Sequence, residues 1–487
     1  VKAPVELGGQ TAVRWCPEYA VPMISPVDVV ARGPFVPDPL PPASGLVEVP
    51  ASDNGIEGQK LQAVSVDIVV PANAPAGIHR GTVTIAAPDG ETTLALEIQV
   101  YPVVIPLELN FNPELDCYYS PGGPAGSKPF LDYHRLAHYH RCTINQVSHT
   151  QTGQVWADMI PELSSEGGVT HVADWSGYDR RIGPLLDGSA FTGLPRDGVP
   201  VRVFYLPFGE NWPMPLAGHY ALGAPPAPPG RVGLTSEDPP VGQDSDDWKE
   251  MHDLMAPPID QAFDVAYKDG FKRVTADFVR HFDQRGWTRT QVQMYQNNKY
   301  PHRGQWWTLD EPSEWADWAA LAFWARLLHE GMAFDHKAEF VYRGDISRLR
   351  WQGGWMDGLM DVAYSGGDGL GWTRLLRHLR ERTGMGLSIY GSFNPVGRNS
   401  MESAAWCLKA YTVWCDGVLP WASLGRDHAL FEPDTNGLLV DGGRFRTSAV
   451  ASLRLMAARH GAQQCELLRQ VVASKPGWSR WHAAALV

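Results

Sequence analysis

Two neighbouring carboxylates, Asp310 and Glu311, are the residues of this chain whose types and spacing most directly suggest chemistry. They end a short apolar run that contains Trp306 and Trp307, and Pro312 follows them. Consecutive Cα atoms lie ~3.8 Å apart, so both carboxyl groups can reach one bound substrate ring. Such a pair suits acid–base catalysis. The alternative is that the two acids only begin and cap the next helix.

The predicted elements around the pair favour the catalytic interpretation. Residues 305–311 have the pattern of a buried strand, and an amphipathic helix is predicted to start near Ser313. In a barrel built from strand–helix units, this junction lies at the catalytic face. Pro312 disfavours helical geometry at the preceding residue, so we expect Glu311 to be extended and outside the helix.

Residues 1–105 form the first predicted domain, which we expect to be an N-terminal β-sandwich. Residues 61–70, 81–86 and 92–101 alternate between apolar and polar side chains, and turn-forming residues separate them. Short alternating strands without a helical period are typical of a sandwich. The chain begins at Val1 in an extended segment, so we expect a processed, trimmed or fragmentary form that lacks upstream strands. Export with removal of a signal peptide is one way in which such a form would arise, and the N-terminus leaves the compartment open.

Residues 106–487 form the second predicted domain, a (β/α)8 barrel with C-terminal helices. Apolar runs here alternate with amphipathic helices, as parallel β/α architecture requires. Strands are predicted near 107–119, 142–149, 201–207, 305–311, 338–343, 359–365, 386–393 and 417–424. Helices are predicted at 314–330, 372–382, 400–414 and 447–472. The Pro-rich residues 222–248 are expected to form a long loop over the open face of the barrel.

Composition excludes several classes of partner. The formal charge of −13 argues against nucleic acid and anionic membrane surfaces, which require a basic patch. No run of 18 apolar residues is present, so no membrane span is predicted. Six scattered cysteines fit buried thiols better than zinc sites or disulfides. His134 and His138 have helical spacing but no partner ligand nearby, so we predict no metal and no cofactor.

The ends of the predicted strands carry polar and aromatic residues that would line one pocket if the barrel closes. Tryptophan and tyrosine offer ring faces and hydroxyl groups, and carbohydrate sites often use both. Any one of these residues is equally compatible with packing. The candidates are Asp116, Tyr118, Asn145, His149, Tyr342, Tyr364, Tyr390, Asn394 and Trp421.

Strand seven is informative because residues 387–394 contain no acid. Retaining glycosidases on this barrel commonly place the nucleophile there. Two-carboxylate displacement requires carboxyl groups ~5 Å apart on opposite sides of the sugar. Asp310 and Glu311 are adjacent and cannot easily straddle the anomeric carbon. They suit a substrate-assisted reaction, in which the 2-acetamido oxygen of the sugar attacks C1.

Several segments together resemble glycoside hydrolase family 123 and the related proteins that share its catalytic barrel. Residues 37–40 and 74–85 look like the N-terminal β-sandwich of that family. Asn297-Asn298-Lys299 followed by residues 309–312 resembles its catalytic segment, and residues 448–461 resemble its closing helix. The ordered set spans most of the chain.

The resemblance implies an exo-acting β-N-acetylgalactosaminidase. Glu311 would be the general acid and then the general base, and Asp310 would stabilise the oxazolinium ion formed from the acetamido group. Tyr342 or Tyr364 would donate to the acetamido carbonyl, and Trp421 would form the apolar floor of the −1 subsite. Its partner would be a carbohydrate with a terminal β-N-acetylgalactosamine. Tyr390, Asn145 and Asn298 complete the predicted substrate contacts.

Two other functions remain open from the sequence. One is a glycosidase of another type, with Asp368 or Asp427 as the partner of Glu311. The other is a carbohydrate-binding protein without turnover. The sequence leaves open the aglycone, the preference for galacto or gluco sugars and the oligomeric state.

Overall fold

The computed structural model describes residues 11–16, 18–20, 35–42, 49, 60, 63–148, 150, 153–224, 256–298, 306–312, 314–346, 353–392, 399, 401–425 and 437–487. Its largest sheet has eight parallel strands. The barrel strands, numbered with all strands of the chain, are β8 (Asn112–Cys117), β9 (Thr143–Gln146), β12 (Val203–Tyr205), β13 (Gln291–Tyr295), β14 (Glu339–Ile346), β15 (Val362–Ser365), β16 (Gly386–Gly391) and β17 (Gly417–Pro420).

The sheet closes almost completely into a barrel. Its spatial order is β12-β13-β14-β15-β16-β17-β8-β9, which leaves one seam between β9 and β12. Side chains bridge this seam: the Asn145 Oδ1 atom accepts from the Tyr205 backbone N–H at 2.8 Å, and the Ser148 hydroxyl donates to the Leu206 carbonyl at 2.7 Å. These bonds satisfy backbone groups that a ladder would otherwise pair.

Helices surround the barrel, and local capping fixes several of their ends. Asp264 caps the helix Val265–Arg285 by accepting from the Tyr267 N–H at 2.8 Å. Gly286, with φ of 73°, ends that helix in a left-handed conformation. The helices are α1 (Lys128–Tyr139), α2 (Ser176–Leu186), α3 (Ile259–Ala262), α4 (Val265–Arg285), α5 (Trp315–Gly331), α6 (Thr373–Thr383), α7 (Met401–Thr412), α8 (Leu453–Ser474) and α9 (Arg480–Ala483). In the described part of the chain, no helix has the length and apolar character needed to cross a bilayer.

The prediction of the fourth barrel strand is wrong. The strand is Gln291–Tyr295, whereas residues 306–310 form no strand. Trp307 is buried by ring contacts with Phe263 and Trp324, so its apolar character reflects packing against the helices. The true strand carries Gln291 and the buried Gln293, and these two glutamines give it a polar pattern that hides it. A short apolar run does not by itself distinguish a strand from a buried loop.

The predicted C-terminal helix, residues 447–472, is also partly wrong. Its first residues form the strand β20 (Ala449–Ser452), and the helix α8 follows as Leu453–Ser474. The Ser452 side chain accepts from the Leu455 N–H at 3.1 Å and so sets the start of the helix. The predicted loop at 222–248 lies almost entirely outside the described residues.

Residues before the barrel are rich in β-structure. The strands are β1 (Thr11–Cys16), β2 (Glu18–Ala20), β3 (Phe35–Pro37), β4 (Pro39–Leu40), β5 (Ala63–Ile68), β6 (Gly77–Ala87) and β7 (Gly90–Val100). β1 pairs with β5, β2 with β3, and β6 with β7, all antiparallel. The fold class, a barrel with a β-rich N-terminal part, is confirmed; the sandwich packing of these strands and the boundary at residue 105 stay predictions.

Part of this N-terminal region is built into the barrel domain. β4 pairs with β20 in a four-stranded sheet with β18 (Leu424–Gly425) and β19 (Leu439–Asp441). Asp38 binds the Arg454 guanidinium with contacts of 3.1 and 3.0 Å. Asp67, on β5, binds Arg459 of α8 with contacts of 3.1 and 2.8 Å.

Candidate functional site at the carboxyl end of the barrel

The loop that carries the two acids follows the fourth strand and is fixed by Asn298. The Asn298 carbonyl accepts from the backbone N–H groups of Leu309 and Asp310, at 2.9 and 3.0 Å. Its side-chain amide donates to the Trp307 carbonyl at 2.5 Å. Asn298 is fully buried. One asparagine therefore fixes the backbone on both sides of Thr308.

The start of helix α5 holds the same loop from its other end. The Asp317 carboxylate accepts from the Thr308 N–H at 2.8 Å and from the Glu314 N–H at 3.1 Å. The second contact belongs to a capping box, in which Glu314 and Asp317 satisfy each other's backbone groups. The acids therefore do not themselves cap the helix. That role belongs to Glu314 and Asp317, and the catalytic role of Asp310 and Glu311 stays a prediction.

Glu311 has a backbone conformation that is rare for its residue type. Its φ is 57°, in the left-handed region, so the expected extended geometry is wrong. Pro312 disfavours the right-handed helical conformation at the preceding residue. Glu311 avoids that conformation by taking a positive φ instead of an extended one. Such strain persists only where surrounding contacts hold it, and it concentrates at functional sites. The Tyr390 hydroxyl supplies one contact by donating to the Glu311 Oε1 atom.

Asp310 lies in the loop after the fourth strand, at the carboxyl end of the barrel. It is 3% exposed, and its charge acts on the phenols of Tyr118 and Tyr295. Burial raises the pKa of both phenols, and the negative charges of Asp310 and Asp345 raise it further. Asp116 acts on Tyr118 in the same way. The carboxylates of Asp116, Asp310 and Asp345 therefore all act on the phenol of Tyr118 at this end of the barrel.

A buried cation, Arg343, acts on the same two phenols, those of Tyr118 and Tyr295. Its side chain is fully buried, and it binds both oxygens of Asp345, at 2.7 and 2.8 Å. Its guanidinium carbon stands 4.9, 4.1 and 3.8 Å from the ring centres of Tyr205, Tyr295 and Tyr364. Aromatic faces and carboxylates together offset the loss of water around this charge. Arg343, Asp345 and these three tyrosine rings form a buried cage, which joins side chains from four barrel strands.

Two predicted residues, Tyr390 and Trp421, lie at the ends of β16 and β17. Tyr390 is partly buried at the end of β16 and contacts the acid directly. Trp421 follows β17, where its backbone N–H donates to the Gly391 carbonyl at 3.1 Å, and 41% of its surface is exposed. An exposed indole can stack on the apolar face of a ring. Tyr390 and Trp421 come from the ends of the neighbouring strands β16 and β17, and Glu311 comes from the loop after β13.

Three other predicted contacts are buried and already bonded within the protein. Tyr364 donates to Glu114 and accepts from Gln293 at 3.0 Å, inside the barrel. Tyr342 belongs to the main core cluster, where its hydroxyl donates to Gln296 at 2.5 Å. Asn145 bridges the barrel seam. Along β14, Arg343 points into the barrel, so Tyr342 points outward between the barrel and the helices.

Sequence reasoning singled out Asp116 and Tyr118 but missed Arg343, Asp345 and Tyr295. The fourth strand was misplaced, which hid Tyr295. A usable signal existed on β14, where two charged residues stand two apart within a buried strand. That spacing puts both on one face, and a charged face inside a barrel indicates a polar interior. His149, Asn394 and Asp427 lie outside the described residues, as does the side chain of Asp368.

Histidines and cysteines do not form a metal centre in the described residues. His134 and His138 are buried in α1, where burial lowers the pKa of each imidazole to about 3. His138 stacks on Phe191 with ring centres 4.0 Å apart. Both act as core residues. The five cysteines at positions 117, 142, 407, 415 and 465 are buried and free, as predicted for them.

The fold and this arrangement define a (β/α)8 barrel with adjacent carboxylates at the carboxyl ends of its strands. No family model matches the sequence, and no curated protein does. Among solved structures, the chain is similar to a family 123 glycoside hydrolase from Clostridium perfringens, described as hydrolysing glycolipid glycans. The TM-score is 0.54 at 14% identity, covering 96% of this chain and 77% of that one. The expected likeness to family 123 is confirmed at the level of the fold.

A second match is much weaker. The β-glucuronidase of Parabacteroides merdae aligns with a TM-score of 0.32 at 10% identity, covering 88% of this chain and 46% of that one. A similarity of this size adds no argument about the site.

Proposed function

We propose that this protein is a glycoside hydrolase that releases terminal β-linked N-acetylgalactosamine with retention of configuration. The observation that carries the proposal is the Asp310–Glu311 pair at the carboxyl end of the barrel, with Glu311 in a strained conformation and bonded to Tyr390. The likeness in fold to a family 123 glycoside hydrolase supports it. The described part of strand seven adds Tyr390 to the site and no acid.

Each acid has a role in this mechanism. Glu311 donates a proton to the glycosidic oxygen as the bond from C1 to that oxygen breaks. The acetamido oxygen of the same sugar attacks C1 and forms an oxazolinium ion. Asp310 accepts a hydrogen bond from the acetamido N–H and stabilises the developing positive charge. Glu311 then takes a proton from water as that water attacks C1, which restores both the acid and the configuration.

The surroundings suit these roles. Asp310 is held by backbone contacts to Asn298 and is nearly buried, so its position is fixed before substrate binds. Glu311 is more accessible, as a residue that exchanges protons with a leaving group and with water must be. Trp421 offers an exposed ring on which a pyranose can stack.

The first test compares two aryl glycosides that differ only in the acetamido group. We expect nitrophenol release from the aryl β-N-acetylgalactosaminide and none from the aryl β-galactoside. Turnover of both would move the nucleophile onto the protein and support a two-carboxylate glycosidase. Turnover of neither, with binding of the sugar, would support a carbohydrate-binding protein.

Variants of the pair test the assigned roles. Glu311→Gln should lower kcat by roughly 10²- to 10⁴-fold, and less on aryl substrates with better leaving groups, because these need less protonation. Asp310→Asn should lower kcat by a similar factor on all the aryl substrates, whatever their leaving group. Asp335→Asn, on an exposed loop, is the control and should match wild type. Near-wild-type activity in either pair variant would refute the role assigned to that acid.

A further inference from the structure

Three buried carboxylates face a single guanidinium beneath Asp310. Arg343 binds both oxygens of Asp345 and lies 3.1 Å from the Glu114 Oε1 atom. Glu114 also accepts from Asn145 at 3.1 Å and from the Tyr364 hydroxyl. Asp345 and Glu114 are therefore well supplied with donors.

Asp116 is the third carboxylate, and its supply of donors is poor. It is 2% exposed, and in the described part of the chain its side chain has one hydrogen-bond contact, with the Tyr205 hydroxyl at 3.3 Å. The same hydroxyl accepts from Arg343 and lies closer to Glu114, at 3.0 Å. A phenol has one proton, and the shorter contact favours Glu114 as its acceptor. Asp116 is then left without a committed donor.

The electrostatics of Asp116 agree with this count. Burial raises the pKa of its carboxyl group to about 8, Arg343 opposes the shift, and the charges of Asp345 and Glu114 add to it. At neutral pH the group therefore holds its proton. The charged and titratable groups that face it come from β8, β12 and β14 and from the residue after β8, and they are Glu114, Cys117, Tyr118, Tyr205, Arg343 and Asp345.

Asp116 also lies toward the carboxyl end of the barrel, the end that carries Asp310. Side chains on β8 alternate, so Glu114 and Asp116 both point into the barrel, with Asp116 nearer the carboxyl end. The phenol of Tyr118 is under the influence of both Asp116 and Asp310. Asp116 and Asp310 therefore act on the same phenol and belong to the same part of the barrel.

We propose that Asp116 is a specificity-determining residue whose carboxylic acid donates a hydrogen bond to a hydroxyl group of the sugar in this site. The proposal rests on the proposed function in one respect, that a sugar occupies the pocket beside Asp310. A neutral acid offers one donor, whereas an ionised carboxylate only accepts. A site built around such a bond discriminates strongly against ligands that lack the hydroxyl group.

The test measures binding of N-acetylgalactosamine by calorimetry from pH 6 to 9, independently of turnover. Wild type should lose affinity as the pH rises through about 8, because Asp116 ionises. Asp116→Asn keeps the size and a donor, so its affinity should stay constant over this range. Asp116→Leu should bind roughly 10- to 100-fold more weakly at pH 7, because the hydroxyl group loses its partner.

Glu114→Gln is the matched control, since it alters the same cage one layer deeper. It should keep the loss of affinity at high pH, whereas Asp116→Asn should not. The same experiment uses the 3-, 4- and 6-deoxy forms of the sugar. One of them should bind wild type more weakly than the parent sugar does. That deoxy sugar and the parent sugar should bind Asp116→Leu with equal affinity. Thermal unfolding of each variant checks that it is folded.

Three results would overturn the inference. They are wild-type pH dependence in Asp116→Asn, wild-type affinity in Asp116→Leu, and no binding of the sugar by wild type at any pH. A chain that binds the sugar as described but releases no nitrophenol would refute the proposed hydrolase and leave the role of Asp116 standing.

Discussion

Glu210 is a second buried carboxyl group whose environment works against its charge. It follows β12, is 1% exposed, and neither of its carboxylate oxygens meets a donor from another residue in the described part of the chain. Burial raises its pKa from 4.5 to about 7. Its backbone carbonyl accepts from the Tyr267 hydroxyl at 3.0 Å, which anchors the loop to α4. The protonated form therefore fits this site better than the ionised form.

This shift predicts how stability depends on pH. The folded state holds the Glu210 proton more tightly than the unfolded state, so its contribution is complete below pH 4.5 and is lost as the pH rises through 7. A pKa unit corresponds to ~1.4 kcal/mol, so the loss is roughly 3 kcal/mol. Chemical unfolding between pH 5 and 8 should show a smaller decrease for Glu210→Gln than for wild type. Asp335→Asn is the control, and equal decreases in all three proteins would refute the assignment.

At the scale of elements, the loop that carries Asp310 and Glu311 depends on two anchoring side chains outside the pair. Asp317 joins Thr308 to the first turn of α5, and Asn298 joins the loop to the end of β13. Asp310 and Glu311 lie between these two anchors. A residue that fixes such a loop is a positioning residue, and a misplacement of about 1 Å can cost ~10²-fold in rate.

Asp317→Ala should therefore lower kcat by roughly 10- to 100-fold with a much smaller change in KM. Asp264→Ala is the matched control, because Asp264 caps α4. Its carboxylate bonds to Tyr267 and His219 rather than to the loop that carries Asp310 and Glu311. Both variants should lose about 1 kcal/mol of stability with their caps. If the two variants lose equal activity, the loss reflects stability, and the positioning role of Asp317 is refuted.

At the scale of the whole molecule, the β-rich N-terminal part is joined to the last long helix of the barrel domain. Asp67 and Arg459 form a mostly buried pair, with side chains 9% and 12% exposed. Tyr139, on α1, adds a hydrogen bond to Asp67 at 3.4 Å. Removing one member of a buried pair leaves the other charge without its partner in a dry environment.

Asp67→Ala should therefore cost roughly 3 kcal/mol of stability and increase protease cleavage between residues 60 and 105. Arg80→Ala is the control in the same region, because Arg80 and Glu97 form an exposed pair that contributes little. Thermal unfolding and timed digestion measure both effects. Equal cleavage of the two variants would contradict a joining role for Asp67.

The sequence by itself determined the features that depend on local order along the chain. The adjacency of Asp310 and Glu311 is covalent, and the alternation of strands with amphipathic helices is a local period, so the barrel class and the closeness of the two acids were both predictable. The positions of Tyr390 and Trp421 at strand ends followed from the same pattern. Helix α5 was predicted within one residue at each end.

Only the tertiary structure decided which side chains meet inside the barrel. Arg343 contacts Glu114, which lies 229 positions away, and no local pattern encodes that register. The fourth strand was hidden because its inward Gln293 pairs with Tyr364 and Arg343, and such a residue makes a buried strand look polar. Tyr342 and Tyr364 both looked like pocket residues, yet one faces the helices and the other the cage. Side-chain direction depends on register and closure, and these are set by the whole sheet at once.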